Sequence, residues 1–344
     1  MRVLAIGGTR FIGPAAARRL HTLGHEVTLF HRGKSAAELP KGIKHIRGDR
    51  NKLTDFQDTF RKIKPDVVLD MIPITEQHAQ HVIATFKGIA ARVVAISSQD
   101  VYRAYGILIG KEQGLEPTPL NEDSPLRREL YPYRGEQPRA DSDPQKILDD
   151  YDKIPIEETV MGEPSMPGTV LRLPMVYGPG DYQHRLFEYL KRMDDKRPAI
   201  VLDRERAAWR SSNGYVENVA HAIVVAVTST SACNRIYNVA EPDNPTVVEW
   251  VREIGNAAGW KGEIVVVERD QLPDALRSDF NAKQHLAVDT TRIRKELGYS
   301  EVVTLHEALA RTIEWERKHP PVTVRPEQFD YAAEDAVLQT IKKH

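Results

Sequence analysis

The opening stretch, MRVLAIGGTRFIGPAAARRL, constrains this chain more than any other. A short apolar run from Val3 to Ile6 meets the glycine pair Gly7 and Gly8. A polar turn at Thr9 and Arg10 follows, and Phe11-Ile12-Gly13 then opens an Ala/Leu-rich helical stretch. The order reads as strand, glycine turn, helix N-terminus. A helix that begins straight after glycines presents unpaired N–H groups and the positive end of its dipole, which together favour a bound phosphate.

The next hundred residues repeat the strand–helix rhythm. Segments 3–6, 26–30, 44–47, 67–71 and 92–97 read as short strands, with helical stretches at 14–23 and 76–88 and a weaker one at 54–62. Such alternation predicts a parallel, doubly wound sheet. Runs such as VLAI, VVLD and VVAIS are apolar throughout, as suits strands covered on both faces. Residues 103–152 break the rhythm. They hold six prolines and many charges and read as a long irregular insertion, of the kind that serves as a functional lid or is disordered. Order returns with helices at 153–161, 187–192, 216–228, 247–258 and 305–318, and strands at 169–173, 235–239 and 263–267. VYGPGD (176–181) reads as a turn, and the segment from Pro320 onward as proline-led and weakly helical.

Charge and cysteine content remove several classes of function. A formal net charge of -1 gives no general basic field for nucleic acid. The runs Arg61-Lys62-Ile63-Lys64 and Lys342-Lys343-His344 are short enough to be solvated faces. Cys233 is the single cysteine, so neither an intrachain disulfide nor a cysteine zinc cluster is available. The start of the chain lacks a signal-peptide pattern, and no run suits a bilayer span. The expectation is a cytoplasmic protein with no membrane association. His78 and His81 share a helical face without a third ligand, so they read as exposed helix histidines and no metal is expected. Ser98 stands outside a G-x-S-x-G elbow, which argues against a hydrolase triad.

Nine stretches, in order and over roughly residues 1–318, together resemble the extended short-chain dehydrogenase/reductase family of the NAD-dependent epimerase/dehydratase type. They are GGTRFIG (7–13), GD (48–49), PDVVLDM (65–71), AISSQDVY (95–102), LNEDSPL (120–126), LRLPMVYGPGD (171–181), GYVENVAHAI (214–223), IYNVAEP (236–242) and RIRKELGY (292–299). The GGTRFIG form is also similar to an atypical branch that includes chloroplast stem-loop-binding proteins. The resemblance implies an α/β fold: a Rossmann doubly wound parallel sheet over 1–175, with the insertion at 103–152 and part of 210–240 returning to it. A smaller C-terminal α/β substrate lobe would occupy 176–318, and 319–344 would form a tail. Segments 87–90 and 148–161, read as helices, would contribute to a homodimer as in many relatives.

The resemblance also implies a cofactor site. Gly7 and Gly13 match the family turn, flanked by Thr9, Phe11 and Ile12, but Arg10 replaces the middle glycine. An arginine there adds bulk and a charge that clamps phosphate oxygens, or else points to solvent. After the second strand the acidic ribose partner is absent. His31-Arg32-Gly33-Lys34 stands in its place, which favours NADP, with NAD as the alternative. Asp49, with Arg50 beside it, is expected at the adenine end; the plainer reading of Asp49 is a turn former. Ile72, Pro73, Pro174 and Lys153 are expected on the nicotinamide side.

For the chemistry, the family uses a tyrosine assisted by a lysine, with a serine or threonine hydroxyl orienting the reacting oxygen. Ser98 matches that hydroxyl and Lys153 the lysine. Gln99 and Asp100 fall where sugar-nucleotide dehydratases carry an acid pair, and only Asp100 keeps a carboxylate. The expected tyrosine four residues before Lys153 is replaced by Asp149. Tyr151, Tyr133 and Asp149 therefore compete for the role. Tyr177 is expected to face the substrate, and Arg185, Arg192 and Arg210 to meet a diphosphate unless they are solvated surface charges. The implied activity is hydride transfer at a secondary alcohol or ketone of a nucleotide-linked sugar or similar polyol. The alternative is a catalytically degenerate dinucleotide fold acting in RNA binding or regulation.

Overall fold

The computed structural model describes residues 1–34 and 38–341, so the expectation for Lys342-Lys343-His344 lies outside the described residues. In chain order its strands are β1 (Arg2–Ile6), β2 (Glu26–His31), β3 (Lys44–Arg47), β4 (Val67–Asp70), β5 (Arg92–Ser98), β6 (Gly168–Leu173), β7 (Met175–Tyr177), β8 (Ala199–Asp203), β9 (Asn213–Tyr215), β10 (Arg235–Asn238) and β11 (Glu263–Val267). The helices are α1 (Ile12–Thr22), α2 (Gln57–Ile63), α3 (Glu76–Phe86), α4 (Arg103–Leu108), α5 (Ile154–Met161), α6 (Phe187–Asp194), α7 (Arg204–Ala208), α8 (Val216–Thr228), α9 (Val247–Ala258), α10 (Thr291–Leu297), α11 (Leu305–Lys318) and α12 (Tyr331–Ile341).

Neighbouring strand residues point to opposite faces, and here both faces are buried. Val3, Ala5, Val27, Leu29, Val67, Leu69 and Val94 face one core with Ala16, Ala17 and Leu20 of α1 and Val219 and Ile223 of α8. Leu4, Ile6, Phe30, Val68, Val93 and Ala95 face the other, with Ala79, Val82 and Phe86 of α3 and Ile156 and Val160 of α5. Each large apolar side chain removed from water contributes about 1.5–3 kcal/mol. The sheet runs β10-β6-β5-β4-β1-β2-β3. Its pairings are parallel, with Val3 opposite both Val27 and Val67. The chain leaves β1 toward β2 on one side and returns to β4 on the other. That reversal opens a crevice beyond the carboxyl ends of β1 and β4, the usual ligand position of such a sheet.

Two short parallel pairs, β8 with β11 and β7 with β9, complete the strands among the described residues. Of these, β7, β8 and β9 escape the sequence reading. β7 and β9 are three residues each, too short to display a period of two. Segment 87–90, expected to be helical, is a turn after α3, and α5 begins only at Ile154.

The 103–152 segment is ordered despite carrying little regular structure beyond α4 and a 3-10 turn at Lys146–Asp149. Ion pairs hold it. Arg127 and Asp152 pair at 2.9 Å with both side chains almost fully buried. Arg103 holds Glu112 and Glu116, and Arg139 holds Asp149. At the far end, α12 packs Val337 against Val201 of β8 and Val267 of β11.

Candidate active site

Gly7 and Gly8 follow β1 with φ of 90° and 79°, a left-handed backbone that costs other residues strain. The Gly7 N–H donates to the Phe30 carbonyl at 2.9 Å, tying the turn to β2. A Cβ on Gly13 would lie 2.3 Å from the Cα of Gly8, so only glycine lets α1 approach the turn this closely. The first turn of α1 has no side-chain cap and no acidic residue. Its N–H groups and dipole therefore favour an anion. The turn borders a cleft of ≈ 760 Å³ whose lining includes Gly7 through Gly13, with Thr9 and the exposed Arg10 among them. Phe11 and Ile12 also line it. His31, Arg32, Lys34, Asp49, Arg50 and Ile72 form the rest of that wall, and Ile147, Gly180 and Tyr182 stand among the other lining residues.

Several of these residues have a second task. His31 Nδ1 accepts the Gly33 N–H at 3.1 Å, so its Nε2 carries the proton and donates to His45 Nδ1 at 2.9 Å. Burial keeps His31 below its ordinary value. Asp49 accepts the Asn51 N–H at 3.0 Å and so caps the following 3-10 turn. Arg50 touches the cleft, but its guanidinium is bidentate to buried Asp70, at 2.9 and 3.0 Å, and donates to the Ile72 carbonyl. It shapes the wall and its charge is already balanced by Asp70.

His78 corrects an expectation. It is buried, accepts the Ile74 N–H at Nδ1 (3.1 Å) and meets Asn51 through Nε2 (3.1 Å). Burial first, then Arg50, push it down to about 4. Among the described residues, no group of three or more His, Cys, Asp or Glu side chains is placed to hold a metal ion.

At the end of β5, Ser98 and Asp100 meet the insertion. Asp100 is buried, and its Oδ2 accepts hydrogen bonds from Tyr151 OH at 2.8 Å and Tyr133 OH at 3.1 Å. Tyr105 OH donates to Tyr133 OH at 3.0 Å. Asp100 Oδ1 is buried without a hydrogen-bond partner. Burial raises the Asp100 carboxyl, and burial beside that carboxyl pushes both Tyr133 and Tyr151 upward. Ser98 accepts the Asp100 N–H at 3.2 Å, and it also acts on the Tyr151 hydroxyl as a hydrogen-bond partner.

Lys153 is buried, and its Nζ lies 5.4 Å from the centroid of the Tyr151 ring. It donates to the carbonyls of Pro73 and, at 3.2 Å, Ile96. Desolvation lowers it to about 8. Tyr151 and Lys153 precede α5, so the helical rule that separates positions two apart does not apply to them. Tyr133 and Tyr151, read from sequence as competitors, share one carboxylate. Asp149, the third competitor, is taken up by Arg139 and Lys146 and held below its ordinary range by those hydrogen bonds, against desolvation.

The residues expected to meet substrate are engaged with protein. Gln99 donates to the Val239 carbonyl at 3.1 Å. Tyr177 donates to Glu241 at 2.8 Å, and burial raises that glutamate to about 7. Arg185 pairs with buried Asp181 at 2.8 Å. Arg210 donates to the Asn244 carbonyl at 2.8 Å and faces Glu249 at 3.3 Å on an exposed surface. Arg192 corrects another expectation: it is buried under α12, paired with Glu334 at 2.7 Å, and unavailable to a diphosphate. Pro174 packs beside Gly214, where a Cβ would lie 2.9 Å from its ring. Sequence reasoning passed over Tyr105, Arg127 and Glu241. Tyr105 had one signal, an aromatic residue just after AISSQDVY; Glu241 stood inside IYNVAEP and Arg127 directly after LNEDSPL.

The turn, the uncapped helix start and the size of the cleft fit a dinucleotide with its pyrophosphate at α1. The profile of the NAD dependent epimerase/dehydratase family matches residues 3–240. The chain is 24% identical over 324 residues to a chloroplast stem-loop binding protein of 41 kDa from Arabidopsis thaliana, covering 90% of this chain and 77% of that protein. It is 33% identical over 100 residues to a 2'-dehydrokanamycin reductase of Streptomyces kanamyceticus, 28% of each chain. Its fold is similar to that of a Bacillus cereus UDP-glucuronic acid 4-epimerase solved with UDP-glucuronic acid and NAD. There the TM-score is 0.67 at 17% identity, over 92% of this chain and 99% of that one.

Proposed function

Because the chain belongs to the NAD dependent epimerase/dehydratase family, whose enzymes depend on a nicotinamide dinucleotide, we propose that it is an epimerase or reductase. Its substrate class is a nucleotide-linked sugar or similar polyol, and it works at a secondary alcohol or ketone. The observation that carries this reading is the meeting of Ser98, Tyr151 and Lys153 at the end of β5, with the Pro73 carbonyl bound to Lys153 one residue from cleft-lining Ile72. The nucleotide-linked substrate is supported by the UDP-glucuronic acid 4-epimerase of the same fold, and the reductase reading by the 2'-dehydrokanamycin reductase relative.

A nicotinamide dinucleotide bound in the cleft supplies reversible hydride exchange with the substrate carbon. The Gly7–Gly13 turn and the α1 N-terminus hold its pyrophosphate. Arg32 and Lys34, with no carboxylate at the end of β2, favour the 2′-phosphate of NADP. Ser98 orients the reacting oxygen, and the Tyr151 hydroxyl gives or takes its proton. Lys153 places a fixed, desolvated charge beside the Tyr151 ring and pins the Pro73 carbonyl next to the cleft. Fluorescence titration with NADPH and NADH tests the reading: binding is expected, tighter for NADPH, and failure to bind either one overturns it.

The stem-loop-binding relative favours a second reading, an RNA-binding protein on the same fold. A salt-dependent RNA affinity without dinucleotide-linked turnover would select it; the net charge of -1 weighs against it.

A further inference from the structure

In the arrangement expected from sequence, a lysine assists the tyrosine directly. The geometry here is different. Lys153 spends hydrogen bonds on the Pro73 and Ile96 carbonyls and faces the Tyr151 ring, while the Tyr151 hydroxyl points at Asp100. Two phenols converge on Asp100 Oδ2, and the second of them receives a third phenol, Tyr105. The other oxygen, Oδ1, is buried and unpartnered, which makes an ionised carboxylate costly and a carboxylic acid accessible.

We infer that Asp100 is the proton reservoir of the site, exchanging its proton with the substrate oxygen through Tyr151, while Tyr133 and Tyr105 stabilise the carboxylate left behind. The inference rests on reading Tyr151 as the reacting phenol. In the reducing direction the carbonyl carbon receives a hydride from a reduced nicotinamide dinucleotide, and the C=O π bond breaks toward oxygen. That oxygen takes the proton of the Tyr151 hydroxyl. Tyr151 takes the carboxyl proton of Asp100, which ends as a carboxylate accepting from Tyr151 and Tyr133. Oxidation runs the same transfers backward, with the alcohol proton finishing on Asp100.

Asp100 is a positioning and relay residue here, acting through Tyr151. The groups facing it are Tyr133 and Tyr151 from the insertion, Tyr105 from α4, Arg127, which donates to its backbone carbonyl, and Lys153. Burial and the neighbouring carboxylate agree with the geometry, since both hold Tyr151 in its phenol form.

The test is ultraviolet titration of tyrosinate in the cofactor-free full chain. The Tyr151 signal is isolated by subtracting Tyr151→Phe in each background. In Asp100→Asn the Tyr151 midpoint is expected to fall by about one pH unit or more, a tenfold change in its ionisation constant, because the neighbouring negative charge is gone. An unchanged midpoint overturns the relay. Tyr133→Phe gives an independent arm should Asp100→Asn not fold. Loss of one donor makes the Asp100 carboxylate harder to form, so the carboxylic-acid infrared band attributable to Asp100 persists to a pH about half a unit higher or more. No shift of that band overturns the relay. Neither readout needs turnover. Failure to bind NADPH or NADH therefore sinks the proposed activity, whereas an unmoved Tyr151 sinks only the relay.

Discussion

Single atoms decide the cofactor end. Gly13→Ala would place a methyl group against backbone at Gly8, where no side chain can yield. Overpacking of this kind costs about 1–3 kcal/mol. The variant is expected to lose that much stability in urea titration and to weaken NADPH binding at least tenfold. Arg32→Ala removes a charge-assisted contact of about 1.5–3 kcal/mol. It should weaken NADPH roughly tenfold or more in the same titration and leave NADH within about twofold. The tight turn at Gly7 and the close approach at Gly13 were legible in the sequence because both are set by near neighbours in the chain. The meeting of Tyr151 with Asp100 was not, since the two lie 51 residues apart and an irregular segment joins them. Arg192 was misread for a similar reason: the carboxylate that claims it stands 142 residues away.

Among the elements, the insertion depends on charge where the sheet depends on apolar area. Replacing Arg127 by Met would leave Asp152 buried without its partner, and breaking such a pair costs about 3–5 kcal/mol. Limited proteolysis is expected to cut Arg127→Met within 103–152 well before the wild type. A second electrostatic feature joins the 3-10 turn after β3 to α3 through His78. Its folded value of about 4 lies below the ordinary 6.5, so between those values the unfolded chain binds the extra proton. Stability from this group is therefore full above pH 6.5 and is lost as pH falls toward 4, on the order of 3 kcal/mol. Thermal melts of His78→Gln across that window should fall less steeply than those of the wild type. The parallel strands and long helices were legible because period and continuous apolarity mark them. The insertion was seen as irregular, yet its order comes from buried ion pairs that leave no periodic trace.

Across the whole molecule, the sheet that carries the cleft takes its last strand, β10, from a point well beyond the insertion, so the cleft and the smaller pairs are built on one continuous core. The later residues brace that core away from the Gly7–Gly13 turn. Deleting residues 321–344 would strip the cover from Val201 and Val267 and expose Arg192 along with removing Glu334. Each apolar side chain returned to water costs up to about 1.5–3 kcal/mol. The melting temperature should drop while NADPH affinity stays within about twofold, because the cleft lining ends at Tyr182.

The Arg192–Glu334 pair also imposes a timetable on synthesis. A chain growing on the ribosome makes the cation first and must add 142 more residues before its counter-charge exists. During that interval the face around β8 holds an unpaired guanidinium beside uncovered valines, the kind of transient surface that chaperones bind and that associates in their absence. The turn after β1 meets Phe30 of β2 and leads into α1, neighbours that are made long before Glu334.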